Sequence, residues 1–555
     1  MMKYRIRIIF LILLLTVNAN AKESVVLKAA EAELTRAMSE LKNQPTPPYF
    51  LAYGITETHK VTITASFGKL KTNVTKRERV LDVNVRVGSY DFDNTHIIRG
   101  ARFNFGGKMG ADPLPIEDDE LSIRNVIWSA TDRDYKDALE KFDKAKTNKA
   151  VKVREEDSSA DFTHEEPVQK IIDANPVNVD VDYWIKRIES LSAAFSNKNW
   201  LLVGMVSFNA EIVTKYYISS EGTRLQWTEP TFRIFSSAKT KADDGMSLPL
   251  YKSYFGFEPN SLPDDATITN DINKMVVLLD NMRNAPLMNT YSGPAILSGE
   301  AAGVFFHEIF GHRVEGHRQK DPNSSQTFKN EVGKKILPDF IDVIFDPTVK
   351  TRNGREVSGY YLFDDEGINA QKVACVEKGI FGNFLMSRSP IENFSKSNGH
   401  GRRQAGYEAC SRQSNLMVIP RETVSYSKLR DMLKEKCKEQ NKEFGLMFDV
   451  VQGGFTFTGR TIPNAFNVNP LVVYKIFADG RPDELVRGVD LIGTPLSTFA
   501  NIIAASDDLG IFNGVCGAES GGVPVSASSP SLLVSTIEVQ KKAKSQAKPP
   551  VLTQP

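Results

Sequence analysis

Cysteine is scarce in this sequence, with four in 555 residues. That count excludes the dense disulfide framework on which small secreted modules depend. Cys375, Cys410 and Cys437 allow at most one bridge among them, and Cys516 stands apart in the Gly-rich stretch Asn513-Gly514-Val515-Cys516-Gly517. Net charge is nearly absent as well: 69 Lys+Arg against 68 Asp+Glu leave +1, so no long-range field recruits nucleic acid or an anionic surface. Apolar runs fall well short of the roughly 20 residues that a spanning helix needs. Internal repeats and a phosphate-cradling Gly loop are lacking, and Ser520 has no glycine two positions before it to build a nucleophile elbow. What remains is ordinary folded composition. Hydrophobic residues at 41% and charged residues at 25% exclude collagen-like, disordered and multi-span membrane classes. The length corresponds to roughly two to four domains at about 150 residues each.

The first 21 residues read as a leader. Lys3, Arg5 and Arg7 precede an apolar run from Ile8 to Leu15, and the small-residue triplet Ala19-Asn20-Ala21 follows, the layout of a secretory signal peptide. Cleavage is expected after Ala21 and takes the formal charge from +1 to −2. No cysteine near that point offers a lipid acceptor, and an uncleaved anchor is the weaker reading. The mature chain is therefore expected to be exported, periplasmic or secreted, with no stable membrane span.

Periodicity predicts an α+β subunit of two domains. Val26, Ala30, Leu34, Met38 and Leu41 mark a helix over 25–43 that Pro45, Pro47 and Pro48 bring to an end. Strands are expected at 50–56 and 61–66, and the alternation of Leu81, Val83, Val85 and Val87 predicts another. Helices are expected over 120–145 and 181–196, with the Lys/Glu/Asp-rich segment 143–167 a solvated loop or helix extension. Further strands are expected from 200 to 236, and a helix over 265–283 closes an N-terminal α+β domain spanning 22–288. The C-terminal domain, 289–540, reads as β-rich around one buried helix, followed by a mobile tail over 541–555. Its expected strands are 294–297, 340–345, 359–363, 455–459, 471–477 and 532–539, with a surface helix near 427–441. The buried helix, Glu300 to His312, carries Ala301, Ala302, Val304, Phe305, Phe306, Ile309 and Phe310, apolar nearly all round, with Ser298 suited to its N-cap.

That greasy helix is also where polar chemistry concentrates. Only seven histidines occur, yet His307, His312 and His317 fall within eleven positions, where random placement puts about 0.14. Imidazoles and a carboxylate on an apolar helix are costly unless each has a partner, and a divalent ion, zinc above all, can satisfy them together. His307 and His312 lie five apart, not four as in the common H-E-x-x-H signature. Five residues turn a regular helix by about 500°, so the two rings meet only if a π-type bulge or an unwinding at Gly311 intervenes. For a third ligand His317 and Glu315 are near, and Cys516, flanked by glycine, is the better thiolate candidate. Glu308, beside a ligand, is the natural general base: zinc brings the pKa of its water to about 7, and Glu308 takes the proton and passes it to the departing amine.

The runs Gly303-Val304-Phe305-Phe306-His307-Glu308-Ile309-Phe310-Gly311-His312, Asp364-Asp365-Glu366-Gly367, Gly401-Arg402-Arg403-Gln404, and Cys516-Gly517 with Val523-Pro524-Val525 resemble the TldD/PmbA family of metallopeptidases. The resemblance covers about 290–540 and is loose before that. It implies a two-domain α+β subunit cutting unfolded peptides or small proteins without ATP. Its H-E-x-x-x-H motif and later cysteine map onto His307, Glu308, His312 and Cys516, the motif of the active type of subunit. It further implies a dimer, homomeric or with a related subunit that lacks the motif. The well-known members are cytoplasmic, and Ala518-Glu519-Ser520-Gly521-Gly522 departs from the family's usual residues after the cysteine.

The plainer readings are these. His317 lies beyond the helix end and reads as a structural or supporting residue. Arg402 and Arg403 are candidates to hold a substrate carboxylate. Asp364, Asp365 and Glu366 lack the alternating oxygen spacing of a calcium loop and read as a turn. The function expected is zinc-dependent hydrolysis of an extended peptide bound by strand addition to a sheet edge. The alternative is a non-catalytic periplasmic binding or scaffold subunit of the same fold.

Overall fold

The computed structural model describes residues 23–97, 110–151, 157–172, 177–456, 466–493 and 495–542. The leader with its cleavage point, and all but the first two residues of the expected tail, lie outside the described residues.

Helix α1 (Val25–Leu41) starts at Ser24, whose hydroxyl accepts from Leu27 N, and buries Val26, Leu27, Ala30 and Leu34. Strands β1 (Pro48–Ser66) and β2 (Lys69–Val87) form a long hairpin turned at Phe67 and Gly68. The two short strands expected over 50–66 are thus one. The polar stretch Thr56 to Lys60 hides little apolar surface, yet it is paired on both flanks and the ladder runs through it. After α2 (Glu120–Val151) and α3 (Val181–Ser192) come β3 (Val203–Ser219), β4 (Arg224–Lys241), β5 (Ser247–Gly256) and α4 (Asp265–Asn284). These strands make one mainly antiparallel sheet in the order β2-β1-β3-β4, with β5 against β4. On α3, Trp184 stacks on Phe208 of β3 at 3.6 Å. The charged segment 143–167 is a helix extension only to Val151. Its far end packs: Phe162 is buried beneath the guanidinium groups of Arg86 and Arg388, 3.6 and 4.0 Å from the ring centre.

The second half opens with β6 (Tyr291–Leu297) and α5 (Gly299–Ile309), then β7 (Ile341–Phe345), β8 (Val373–Glu377), β9 (Asn415–Pro420), α6 (Tyr426–Glu439) and β10 (Phe444–Thr456). It continues with β11 (Phe466–Phe477), β12 (Val489–Gly493), β13 (Gly510–Ala518), β14 (Gly521–Ser529) and β15 (Leu532–Lys541). One sheet runs β8-β7-β9-β14-β13, which leaves β13 at an edge. The other runs β10-β6-β15-β12-β11, and β11 pairs back onto β10 so that the sheet closes on itself. Residues 359–363, expected as a strand, are a loop with a single bridge from Phe363 to Asn369; buried Tyr361 and Phe363 supply packing there, not a ladder.

Helix α5 lies between these sheets, touching β10 on one side and β13 and β14 on the other, which is why it is apolar all round. Phe305, Phe306, Ile309 and Phe310 are at most 1% exposed, and each contributes about 1.5–3 kcal/mol by leaving water. Gly303 permits the closeness: a Cβ there would stand 3.0 Å from Ala527 O of β14. The first sheet is tied to this half by charge pairs, Lys215 with Asp365 at 3.0 Å and Arg388 with Glu221 at 2.8 Å. No helix among the described residues is long and apolar enough to cross a membrane.

Candidate metal centre

Ser298 caps α5, its hydroxyl accepting from Ala301 N, and the helix ends at Ile309. Phe310 departs from helical geometry (φ −109°, ψ −55°), and Gly311–Arg313 form a 3₁₀ turn. The helix therefore unwinds where the five-residue spacing requires it, and the His307 and His312 rings sit 5.1 Å apart, edge to face. Gly311 leaves room for the side-chain amide of Gln413, with which a Cβ there would collide unless that amide moved. That amide donates to His307 O (3.2 Å), and Arg313 Nη1 donates to Glu308 O (3.0 Å) and Ile309 O (3.2 Å), which satisfies carbonyls freed by the helix end.

Cys516 arrives from β13, 204 residues away, with Sγ 3.4 Å from His312 Nε2. One ligand atom from each of His307, His312 and Cys516 lies within 4.8 Å of the others, and all three residues are buried. Behind them, His312 Nδ1 donates to Glu315 Oε2 at 3.2 Å, which leaves Nε2 facing the sulfur. Glu315 is fully buried and is held by Arg318 (2.8 Å) and Arg412 (3.4 Å). Arg412 also donates to Cys516 O (2.7 Å), so one guanidinium spans the carboxylate and the cysteine's strand.

The electrostatics follow from this packing. Burial disfavours the charged imidazole of His312, but Cys516 and Glu315 outweigh it and hold its pKa well above the usual histidine range. Burial would raise the Cys516 thiol, yet His312 and then His307 pull it well below the usual range. Glu315, despite burial, is pulled down to about 2 by His312 and Arg318. The group fits a zinc ion by donor chemistry: two imidazoles and a thiolate, with a carboxylate orienting one ring. His307 Nδ1 is moreover buried, with no hydrogen-bond partner among the described residues.

The other expected residues fall as follows. Glu308 is buried, next to His307. His317 does not join the first group; Nε2 lies 2.6 Å from Glu519 Oε1, in a second cluster with Cys410. Arg402 is buried, Nη1 donating to Gln413 O and Pro524 O at 2.7 Å each, and it stacks on Tyr361. Arg403 pairs with Asp82 of β2, and its backbone N–H donates to Asp365. Both guanidinium groups are thus engaged within the chain. All four cysteines are free thiols, Cys375 and Cys437 deep in apolar surroundings. Sequence reading missed Arg412 and Arg318 as supports, and noted Cys410 only as a possible bridge partner and Glu519 only as a departure from the family pattern; Arg412 lies only eight positions past the noted Gln404, but no local pattern marks it.

These features define an α+β protein with a candidate metal centre at a helix end between two sheets. Residues 290–541 match the PmbA/TldA metallopeptidase C-terminal domain. The C-terminal part of the chain is thus similar to the TldD/PmbA family. It is 29% identical over 260 residues to a metalloprotease of Archaeoglobus fulgidus, covering 47% of this chain and 56% of that protein. It is 25% identical over 246 residues to the zinc metalloprotease TldD homolog of Saccharolobus solfataricus, covering 44% and 51%. The chain spans about half the length of the curated relatives it matches. The fold is similar to that of TldE from Thermococcus kodakarensis, with a TM-score of 0.59 at 13% identity over 92% of this chain and 100% of that one.

Proposed function

We propose that the chain is a zinc-dependent peptidase acting on unfolded polypeptides, with His307, His312 and Cys516 as ligands and Glu308 as general base. The observation that carries this reading is the meeting of three buried donors from two distant segments around His307, whose Nδ1 has no hydrogen-bond partner among the described residues. Zinc held there supplies a Lewis acid that polarises a substrate carbonyl and makes water acidic near pH 7. Glu308 takes the proton of the attacking water and returns it to the amine nitrogen that leaves. With zinc bound, Glu315 would keep a proton on His312 Nδ1 while Nε2 gives up its own and supplies the lone pair. Arg412 fixes the backbone of Cys516. The apolar wall of α5 excludes bulk water. An extended substrate adds to the edge strand β13 at its Cys516 end, where Val515 and Gly517 are exposed on either side of buried Cys516.

The mature chain works outside the cytoplasm after loss of residues 1–21, and it assembles with a second copy or a related subunit. N-terminal sequencing of the exported protein tests the first point, with Lys22 expected at the start. The chemistry is tested by incubating a denatured protein with the wild-type chain and the Glu308→Ala chain. Cleavage fragments are expected only from the former, with equal zinc in both. Unchanged cleavage removes Glu308 from its role, and a zinc-loaded wild-type chain that cuts nothing favours the scaffold reading.

A further inference from the structure

A second set of donors is joined to the first through Glu315 and Arg318. His317, Cys410 and Glu519 each offer one ligand atom, all within 4.8 Å of one another. They come from three separate segments: the short helix His317–Lys320, the strand Cys410–Ser411, and the turn between β13 and β14. Unlike the first set they are half-buried, so an ion has a path in from solvent. His317 Nε2 meets Glu519 Oε1 at 2.6 Å, while Nδ1 is buried and has no hydrogen-bond partner among the described residues. The remaining oxygen, Glu519 Oε2, accepts from Arg318 Nη2 at 2.9 Å, and the same guanidinium holds Glu315 at 2.8 Å.

We propose that His317, Cys410 and Glu519 form a second zinc site, which pins the β13–β14 turn beside Cys516. Imidazole, thiolate and carboxylate are all zinc donors, and two anionic ligands neutralise the ion's charge. Nε2 and Oε1 now share a proton. Zinc binding would release that proton, and the proton of the Cys410 thiol, to solvent and hold the two atoms about 3.3 Å apart, given tetrahedral bonds of about 2.0–2.1 Å. The opening of roughly 0.7 Å falls on a half-buried side chain at a turn. Arg318 already orients the carboxylate through its far oxygen, the kind of support that ligating carboxylates receive. Glu519 is three residues beyond Cys516 on the same hairpin, so fixing one fixes the register of the other.

The experiment counts zinc per full-length mature chain by mass spectrometry after dialysis, and follows the thiolate-to-metal band of the cobalt-substituted protein. Wild type is expected to hold two equivalents and Cys410→Ser one. Cys516→Ala is expected to keep one equivalent together with a thiolate band. Cys410 alone can supply that band, since Cys375 and Cys437 sit deep in apolar clusters. Glu519→Gln is expected to weaken the second equivalent at least tenfold. One equivalent in wild type, unchanged by Cys410→Ser, overturns the proposal, as does a folded Cys516→Ala chain without zinc or band. The readout is metal content, so failure of the peptidase reading leaves it untouched.

Discussion

The two His–Cys groups use similar donors in opposite settings. Around His307, His312 and Cys516 the walls are the phenylalanines of α5 and two sheets, and the supporting carboxylate Glu315 is wholly buried. Around His317, Cys410 and Glu519 the donors are half-exposed and one is already ion-paired to Arg318. On the two proposed readings, water exclusion, not donor identity, is what would separate a site suited to chemistry from one suited to holding a turn. In a dry pocket each fixed charge acts at full strength, whereas at the surface solvent screens it.

The sharpest break in that contrast is Glu308→Ala, expected to lower cleavage of a denatured substrate by about 10²–10⁴-fold with zinc content intact. Cys516→Ser comes next: it removes a ligand and is expected to lower zinc affinity beyond the roughly 10–100-fold expected of Glu315→Gln, which removes only the support behind His312. Competition with a chelating dye measures both, and equal losses would place Glu315 among the ligands. Gly311→Ala tests whether the unwound turn is needed. The collision with Gln413 is expected to cost about 1–3 kcal/mol in chemical denaturation, and a neutral result would mean the amide can move aside.

The smallest effect concerns His400, a histidine outside both groups. It is buried, with Nδ1 donating to Asn398 O (3.0 Å) and Nε2 accepting from Ser414 (3.1 Å). Burial pushes its pKa down to about 3. A depressed folded-state pKa contributes stability that is full above the unfolded value near 6.5 and is lost as pH falls toward 3, at up to about 1.4 kcal/mol per unit. Denaturation midpoints between pH 6.5 and 4.5 should fall in wild type and fall less in His400→Gln.

Legibility in the sequence follows from distance along the chain. His307, Glu308 and His312 sit in one run, and their misfit with a regular helix pointed to Gly311. The second group has no such run: His317, Cys410 and Glu519 are about a hundred residues apart from one to the next, and only the fold unites them. Strand extent was hidden for a related reason. Thr56 to Lys60 carry no apolar alternation because partners on both flanks hold them through backbone hydrogen bonds. Conversely, Tyr361 and Phe363 look strand-like from their side chains but have no ladder to join. Closure of β11 onto β10 is likewise a property of contacts between remote segments.

The 204 positions separating Cys516 from His312 bear on the order of events during folding. A sulfur on an edge strand meets imidazoles at a helix end only when β13 has packed against α5, so capture of an ion by all three donors would be a high-contact-order event. On the proposed zinc reading, metal uptake would report assembly of the C-terminal half, and the chain would gain its chemistry only once that long-range contact is made.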